Sequence, residues 1–73
     1  MIDAVAEQLA AYTEIQDIII GTGHYDIIAL AIFHNENELS YLVRKKIAAI
    51  SGILSHKSIV IQSGVKSVFG LLI

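Results

Sequence analysis

The sequence predicts an α+β fold in which two helices cover one face of a four-stranded, antiparallel-type sheet. Four apolar segments have the composition of strands, and none alternates apolar with polar residues as a sheet with one wet face does. Two other segments carry apolar residues at helical spacing. Because two short helices cover only one sheet face, we expect the second face to pack on another copy of the molecule. The four apolar segments are residues 15–22, 25–33, 58–62 and 67–73.

The first helix is predicted over residues 3–12. Ile2, Val5, Leu9 and Tyr12 are spaced three, four and three apart, which places them on one helical face, and the alanines between them favour helix. This stripe predicts an amphipathic helix that packs on the sheet.

A hairpin is predicted to follow. Residues 15–20 contain four isoleucines and predict the first strand. Gly21 and Gly23 lie in the next six residues, where a tight reversal needs positive φ. Residues 27–33 are apolar at every position, which predicts a central strand with neighbours on both edges.

The second helix has clear start and stop signals. Asn35 followed three residues later by Glu38 has the form of a capping box, and Gly52 is a natural left-handed residue at the other end. The predicted buried stripe consists of Leu39, Leu42, Val43, Ile47 and Ile50. The predicted outer face carries Glu36, Arg44, Lys45 and Lys46.

The remaining residues predict two further strands. Residues 53–62 form the third strand, with a polar start and an apolar end, residues 63–66 a short reversal, and residues 67–73 the fourth strand.

Length and composition predict one domain, residues 1–73, that gains stability by association. A chain of this size buries only roughly 60% of its extended surface. There is no cysteine, so disulfides and thiolate zinc sites are excluded. The longest apolar run has seven residues, against the roughly 20 that span a bilayer. With no secretion signal at the start, a cytoplasmic location without membrane contact is expected.

Charge argues against direct nucleic-acid binding. Five Lys and Arg against seven Asp and Glu give a net charge of −2. The basic cluster formed by Arg44, Lys45 and Lys46 is predicted to be a solvated helix face.

The order of these elements resembles the effector-binding domain, or RAM domain, of the leucine-responsive regulator and AsnC family of transcription regulators. Three segments carry the resemblance, which covers about residues 2–62. They are Thr22-Gly23-His24-Tyr25-Asp26, Glu38-Leu39 at the second helix, and Ser51-Gly52-Ile53 leading into His56-Lys57-Ser58-Ile59-Val60-Ile61. The resemblance implies a ferredoxin-like (RAM/ACT-like) sandwich.

The chain departs from the family pattern in three ways. We expect the helix-turn-helix domain and the first strand that normally precede the first helix to be missing, and His56 stands where the family usually has threonine. A missing central strand would leave its neighbours with unpaired backbone groups. Residues 67–73 can fill that place as a circular permutation, or be swapped into a partner. The third alternative is a frayed apolar tail.

The resemblance implies a small effector, often an amino acid, bound between subunits close to the Gly-x-Tyr-Asp turn. Carried over by position, the ligand-binding residues are Gly23, Tyr25 and Asp26, with Ser58 as a lesser candidate. Glycine lets backbone amides approach a carboxylate, and aspartate pairs with an ammonium group. The alternative is structural: a glycine that serves only the hairpin, a packed tyrosine and an aspartate that caps the turn.

No cofactor, metal or catalytic activity is expected. His24, His34 and His56 lack the short spacing of metal ligands. The sequence offers no phosphate-binding loop and no nucleophile paired with a base.

The sequence is compatible with three functions. The first is a stand-alone sensor and homo-oligomerisation module that binds an amino acid or related metabolite, assembles with full-length regulators and acts on transcription indirectly. The second is a ligand-free association domain or a remnant of a regulator. The third is a small enzyme subunit of the dimeric α/β-barrel type.

Overall fold

A computed structural model of the chain describes residues 2–21, 23–62 and 66–73. Thr22 of the predicted turn and residues 63–65 of the predicted last reversal lie outside the described residues. The elements are α1 (Ile2–Ala10), β1 (Ile15–Ile20), β2 (Ile27–Ile32), α2 (Glu36–Tyr41) continued by a π-helical turn (Leu42–Ile47), β3 (Ser55–Gln62) and β4 (Lys66–Leu72).

Helix α1 is amphipathic as predicted but ends at Ala10, two residues early. Val5 and Leu9, one turn apart, are fully buried against the sheet. Tyr12 lies beyond the helix, where its hydroxyl donates a hydrogen bond to the carbonyl of Lys46 at 3.2 Å. This hydrogen bond connects the segment after α1 to the second helix.

The start of α2 confirms the predicted cap. Asn35 Oδ1 accepts a hydrogen bond from the amide of Glu38 at 3.0 Å. Glu38 Oε1 reaches back, but to the amide of His34 at 3.2 Å and not to that of Asn35. Gly52, beyond the last turn, has a φ of +101°, which confirms the left-handed position predicted for it.

The sequence predicts a regular second helix, but the structure is α-helical only in its first part. From Leu42 it widens into a π-helical turn, and the amide of Ala48 donates to the carbonyl of Val43, five residues earlier, at 3.2 Å. Leu42 and Ile47, also five residues apart, are both buried. The wider turn therefore lets both side chains enter the core.

The prediction that Lys46 belongs to the solvated outer face is wrong. Its ammonium group donates to both carboxylate oxygens of Glu14, at 2.8 and 3.0 Å. It also lies 5.2 Å from the centroid of the Tyr12 ring. Lys46 therefore fastens the π-helical turn to the segment that connects α1 with β1, whereas Arg44 and Lys45 are exposed.

The sheet has the order β1-β2-β4-β3, and every neighbouring pair is antiparallel. β4 lies between β2 and β3 of its own chain, the position proposed for residues 67–73 as replacement of the family's first strand. The alternatives of a frayed tail and of a strand given to a partner are not what the structure shows. β3 begins at Ser55, two residues later than predicted, and Ile53 lies before the strand.

The helices cover one face of the sheet, which confirms the predicted α+β, ferredoxin-like sandwich. β2 alternates between buried and half-buried residues, so only its helix-facing side is enclosed within the protomer. The core consists of Val5, Leu9, Ile27, Ala31, Leu42, Ile47, Ile50, Phe69 and Leu71. The opposite side, called the open face below, carries Ile19, Ile28, Leu30, Ile59, Val68 and Leu72.

Candidate functional site at the β1–β2 turn

The turn between β1 and β2 is closed by the backbone. The amide of Gly21 donates to the carbonyl of Asp26 at 2.9 Å. Gly23 has a φ of +100° and is exposed, and among the described residues no atom outside its chain neighbours lies within 4 Å of the place of a β-carbon. Residue 23 therefore has to be glycine for its backbone conformation, not because a neighbour excludes a side chain.

Asp26 bonds the turn to the end of the last strand. Its amide donates to the carbonyl of Leu71 at 2.9 Å, and its Oδ2 accepts from the amide of Ile73 at 2.7 Å. The side chain is half-buried. Asp26 therefore holds the turn on β4. One hydrogen bond to Oδ2 uses only one of the roughly four acceptor positions of a carboxylate.

Tyr25 packs on the central strand of the open face. A β-carbon at Gly70 would lie 2.7 to 2.8 Å from three atoms of the Tyr25 ring. Gly70 lies between Phe69 and Leu71, which face the helices, so the missing side chain of Gly70 would point to the open face. The ring of Tyr25 therefore lies on the open face.

Ser58 is not brought together with the turn residues. It pairs with Phe69, whose side chain is in the core, so Ser58 lies on the helix side of β3, where it is exposed. The structure gathers Gly23, Tyr25 and Asp26 at one end of the sheet and leaves Ser58 on the other side of it.

Two surface clefts lie at the opposite end of the sheet. One, of about 430 Å³, includes Glu14, Asn35 and Tyr41, and the other, of about 230 Å³, lies along the start of β1 at Ile15–Ile18. Neither includes Gly23, Tyr25, Asp26 or Ser58. Both clefts are thus remote from the turn.

The ion pair beside the larger cleft was not predicted from the sequence. The hydrogen bond from Lys46 lowers the pKa of the Glu14 carboxyl below 4.5, against the opposing effect of burial. The same bond raises the pKa of Lys46 above 10.5. Nothing in the spacing of two residues 32 positions apart could have indicated the pair.

Gly70 was also missed, although the sequence held a signal for it. A glycine inside an apolar strand often marks a place where another group approaches the backbone closely. Here that group is the Tyr25 ring.

Comparison with known protein families identifies the family of the chain. The family model described as the Lrp/AsnC ligand binding domain matches residues 1–70. This chain belongs to that family. The match to the Lrp/AsnC domain extends past the segments that first suggested it and takes in most of β4. No curated protein and no solved structure gives a significant match.

The Lrp/AsnC ligand binding domain is a regulatory domain family. Among the described residues, no group of three or more His, Cys, Asp or Glu side chains is placed to hold a metal ion. No helix in the described ranges is long and apolar enough to cross a membrane.

Proposed function

We propose that this Lrp/AsnC domain, residues 1–73, is an effector-binding and oligomerisation module. It binds a small amino acid or related metabolite between two subunits, next to the β1–β2 turn, and acts on transcription indirectly, in the cytoplasm, through association with full-length regulators. The observation that carries this proposal is the position of Tyr25. Its ring joins the turn to the open face, the surface on which a second copy is expected.

The open face supports association because it is apolar and uncovered. Ile19 is 55% exposed and Ile59 is 68% exposed, and both lie on this side of the sheet. Large contiguous apolar surfaces are unusual on monomers. An interface of standard size buries about 800 Å² on each partner, roughly a sixth of the 4637 Å² surface of this protomer.

The chemistry of the turn supports an amino acid as the ligand. The backbone at Gly23 is accessible to a carboxylate, and the Asp26 carboxylate offers a partner to an ammonium group. Gly21, Gly23 and His24 of the turn are exposed, whereas Tyr25 and Asp26 are half-buried. A second subunit on the open face would supply the wall that makes the turn part of a pocket.

The first test is the mass of the protein in dilute solution, measured by light scattering during size-exclusion chromatography. We expect at least a dimer. Ile59→Lys is expected to give monomers, because Ile59 lies on the open face. The matched control is Val60→Lys, since Val60 is 49% exposed on the helix side of the same strand. A monomeric wild type, or equal effects of both variants, would contradict the proposed interface.

The second test is a thermal-shift screen over the common amino acids. A ligand present at 100 times its Kd stabilises the protein by about 2.7 kcal/mol. Asp26→Asn keeps an oxygen acceptor for the amide of Ile73 and removes the charge, so it is expected to abolish the ligand shift and to leave the fold intact. The proposal of an amino-acid ligand fails if no amino acid raises the melting temperature of the wild type.

The second candidate function is association without a ligand. It is favoured by the structural use of two of the turn residues, since Asp26 holds the amide of Ile73 and Tyr25 packs on Gly70. A dimer that responds to no amino acid or related metabolite would support it.

A further inference from the structure

The β1–β2 turn offers a negative charge to an amino acid but no permanent positive one. Asp26 is the single Asp, Glu, Lys or Arg within residues 21–26, and His24 carries a charge only when it is protonated. An amino acid has a carboxylate as well as an ammonium group, and the charge of Asp26 repels that carboxylate. An amino-acid site at the turn therefore calls for a cation from another part of the chain.

One of the five Lys and Arg residues lies close to the turn. Three belong to the second helix, on the other side of the sheet, whereas Lys57 and Lys66 are on the open face. Asp26 is hydrogen-bonded to Ile73, and Lys66 is seven residues from Ile73 along β4, or about 23 Å. Lys57 pairs with Gly70, which is three residues from Ile73, or about 10 Å. Lys57 is therefore the cation that the fold brings nearest to Asp26 on this face.

The ring of Tyr25 takes the place of the cross-strand neighbour of Lys57. Directly paired residues of adjacent strands have Cα atoms about 5 Å apart, and their side chains adjoin on the same face. Gly70, the partner of Lys57, has no side chain, and the Tyr25 ring fills the space where one would start. The ring is therefore flanked by Lys57 across the sheet and by Asp26, its neighbour in the chain.

The separation of the two charged residues suits a small zwitterion. About 10 Å along β4 and 5 Å across the sheet place the Cα of Lys57 roughly 11 Å from the amide of Ile73 that Asp26 holds. An extended lysine side chain covers roughly half of that separation, and an α-amino acid with a hydrogen bond at each end covers the rest. Lys57 is exposed, and within the described residues no carboxylate is in ion-pair contact with it.

We propose that Lys57 binds the carboxylate of the amino-acid effector, while Asp26 binds its ammonium group and the ring of Tyr25 contacts the carbon between them. This inference rests on the proposed function, which supplies the effector. It adds to the site a residue of β3 that lies one position before Ser58. Ser58 is on the helix side of the strand, whereas Lys57 is on the side of the Tyr25 ring.

The test compares an amino acid with the same molecule lacking its carboxylate. The first probe is the common amino acid that gives the largest stabilisation in the thermal-shift screen, and the second is the primary amine that it forms on decarboxylation. Titration calorimetry measures both Kd values for wild type and Lys57→Met, with circular dichroism to verify folding. Methionine keeps an unbranched side chain and removes the charge.

Lys57→Met is expected to raise the Kd of the amino acid at least about tenfold, the loss of one charge-assisted hydrogen bond. It should leave the Kd of the amine within about twofold of wild type, because the amine has no carboxylate for Lys57 to bind. Lys57→Arg keeps the charge and should bind the amino acid within about threefold of wild type. The matched control is Lys66→Met, which removes a lysine of the same face far from the turn and should change neither Kd.

An exposed lysine on an edge strand also discourages pairing with other strands, and that role alone would not distinguish the two probes. The inference is wrong if Lys57→Met binds the amino acid as tightly as wild type, or if it weakens the amine as much as the amino acid. In both cases the proposed function stands, since wild type still binds an amino acid. If no amino acid binds to wild type, the amino-acid ligand of the proposed function is itself wrong.

Discussion

Tyr25 and Gly70 form a matched pair in which the ring occupies the space of an absent side chain. A β-carbon at residue 70 would lie 2.7 Å from Cδ1 of the tyrosine and 2.8 Å from Cγ. Cγ is the atom by which the ring is attached, so the ring cannot avoid the clash by bending its far end away. The turn and the central strand β4 therefore fit together only with glycine at this position.

Gly70→Ala is expected to lower the free energy of unfolding by about 1 to 3 kcal/mol, the usual cost of overfilling a packed region. Denaturant titration measures the loss. In a Tyr25→Ala background the added methyl group meets no ring, so the same substitution should cost much less. Equal costs in both backgrounds would show that the two residues are not coupled.

Asp26→Ala is expected to loosen the end of β4. It removes the acceptor for the amide of Ile73, a bond to a charged group that typically contributes about 1.5 to 3 kcal/mol. Hydrogen exchange at the Ile73 amide should accelerate in Asp26→Ala, and much less in Asp26→Asn, which keeps an oxygen in place. Unchanged exchange in both variants would remove the structural role of Asp26.

Asn35→Ala is expected to destabilise the protein by about 1 kcal/mol, since its side chain accepts from the amide of Glu38 at the start of α2. Asn37 is two residues away, exposed and inside the helix, so Asn37→Ala is the matched control and should change little. Thermal denaturation of the two variants measures the difference. A smaller loss for Asn35→Ala than for Asn37→Ala would contradict the capping role.

Local signals in the sequence were sufficient for most of the fold. Asn35 and Gly52 marked the ends of the second helix because capping and left-handed positions depend on one or two residues. The place of β4 followed from a topological argument: a gap between two strands exposes backbone groups that only another strand can satisfy.

Features that depend on distant contacts could not be predicted in this way. The π-helical turn allows Leu42 and Ile47 to enter the same core, and a helical stripe does not reveal it. Lys46 looked like a surface residue because its partner Glu14 is remote in sequence. Tyr25 was predicted from a resemblance, but its packing on Gly70 depends on how the turn folds onto β4.

The ion pair of Glu14 and Lys46 should make stability depend on pH in a defined direction. Hydrogen bonding from Lys46 lowers the pKa of Glu14 from 4.5 in the folded protein. A group whose pKa is lowered by folding contributes its full stabilisation above its ordinary pKa and loses it as the pH falls through the folded value. Lys46 has a raised pKa, so its contribution is complete below 10.5 and is lost only at higher pH.

Glu14→Gln is therefore expected to be less stable than wild type by a constant amount between about pH 6 and pH 9. The difference should shrink as the pH falls below 4.5, because the wild-type carboxyl becomes protonated and the pair is lost. Urea titrations at a series of pH values measure it. The matched control is Glu7→Gln on the exposed side of α1, whose difference from wild type should stay small at every pH. A difference for Glu14→Gln that persists unchanged at pH 3 would mean that the glutamate stabilises the loop by packing and not by its charge.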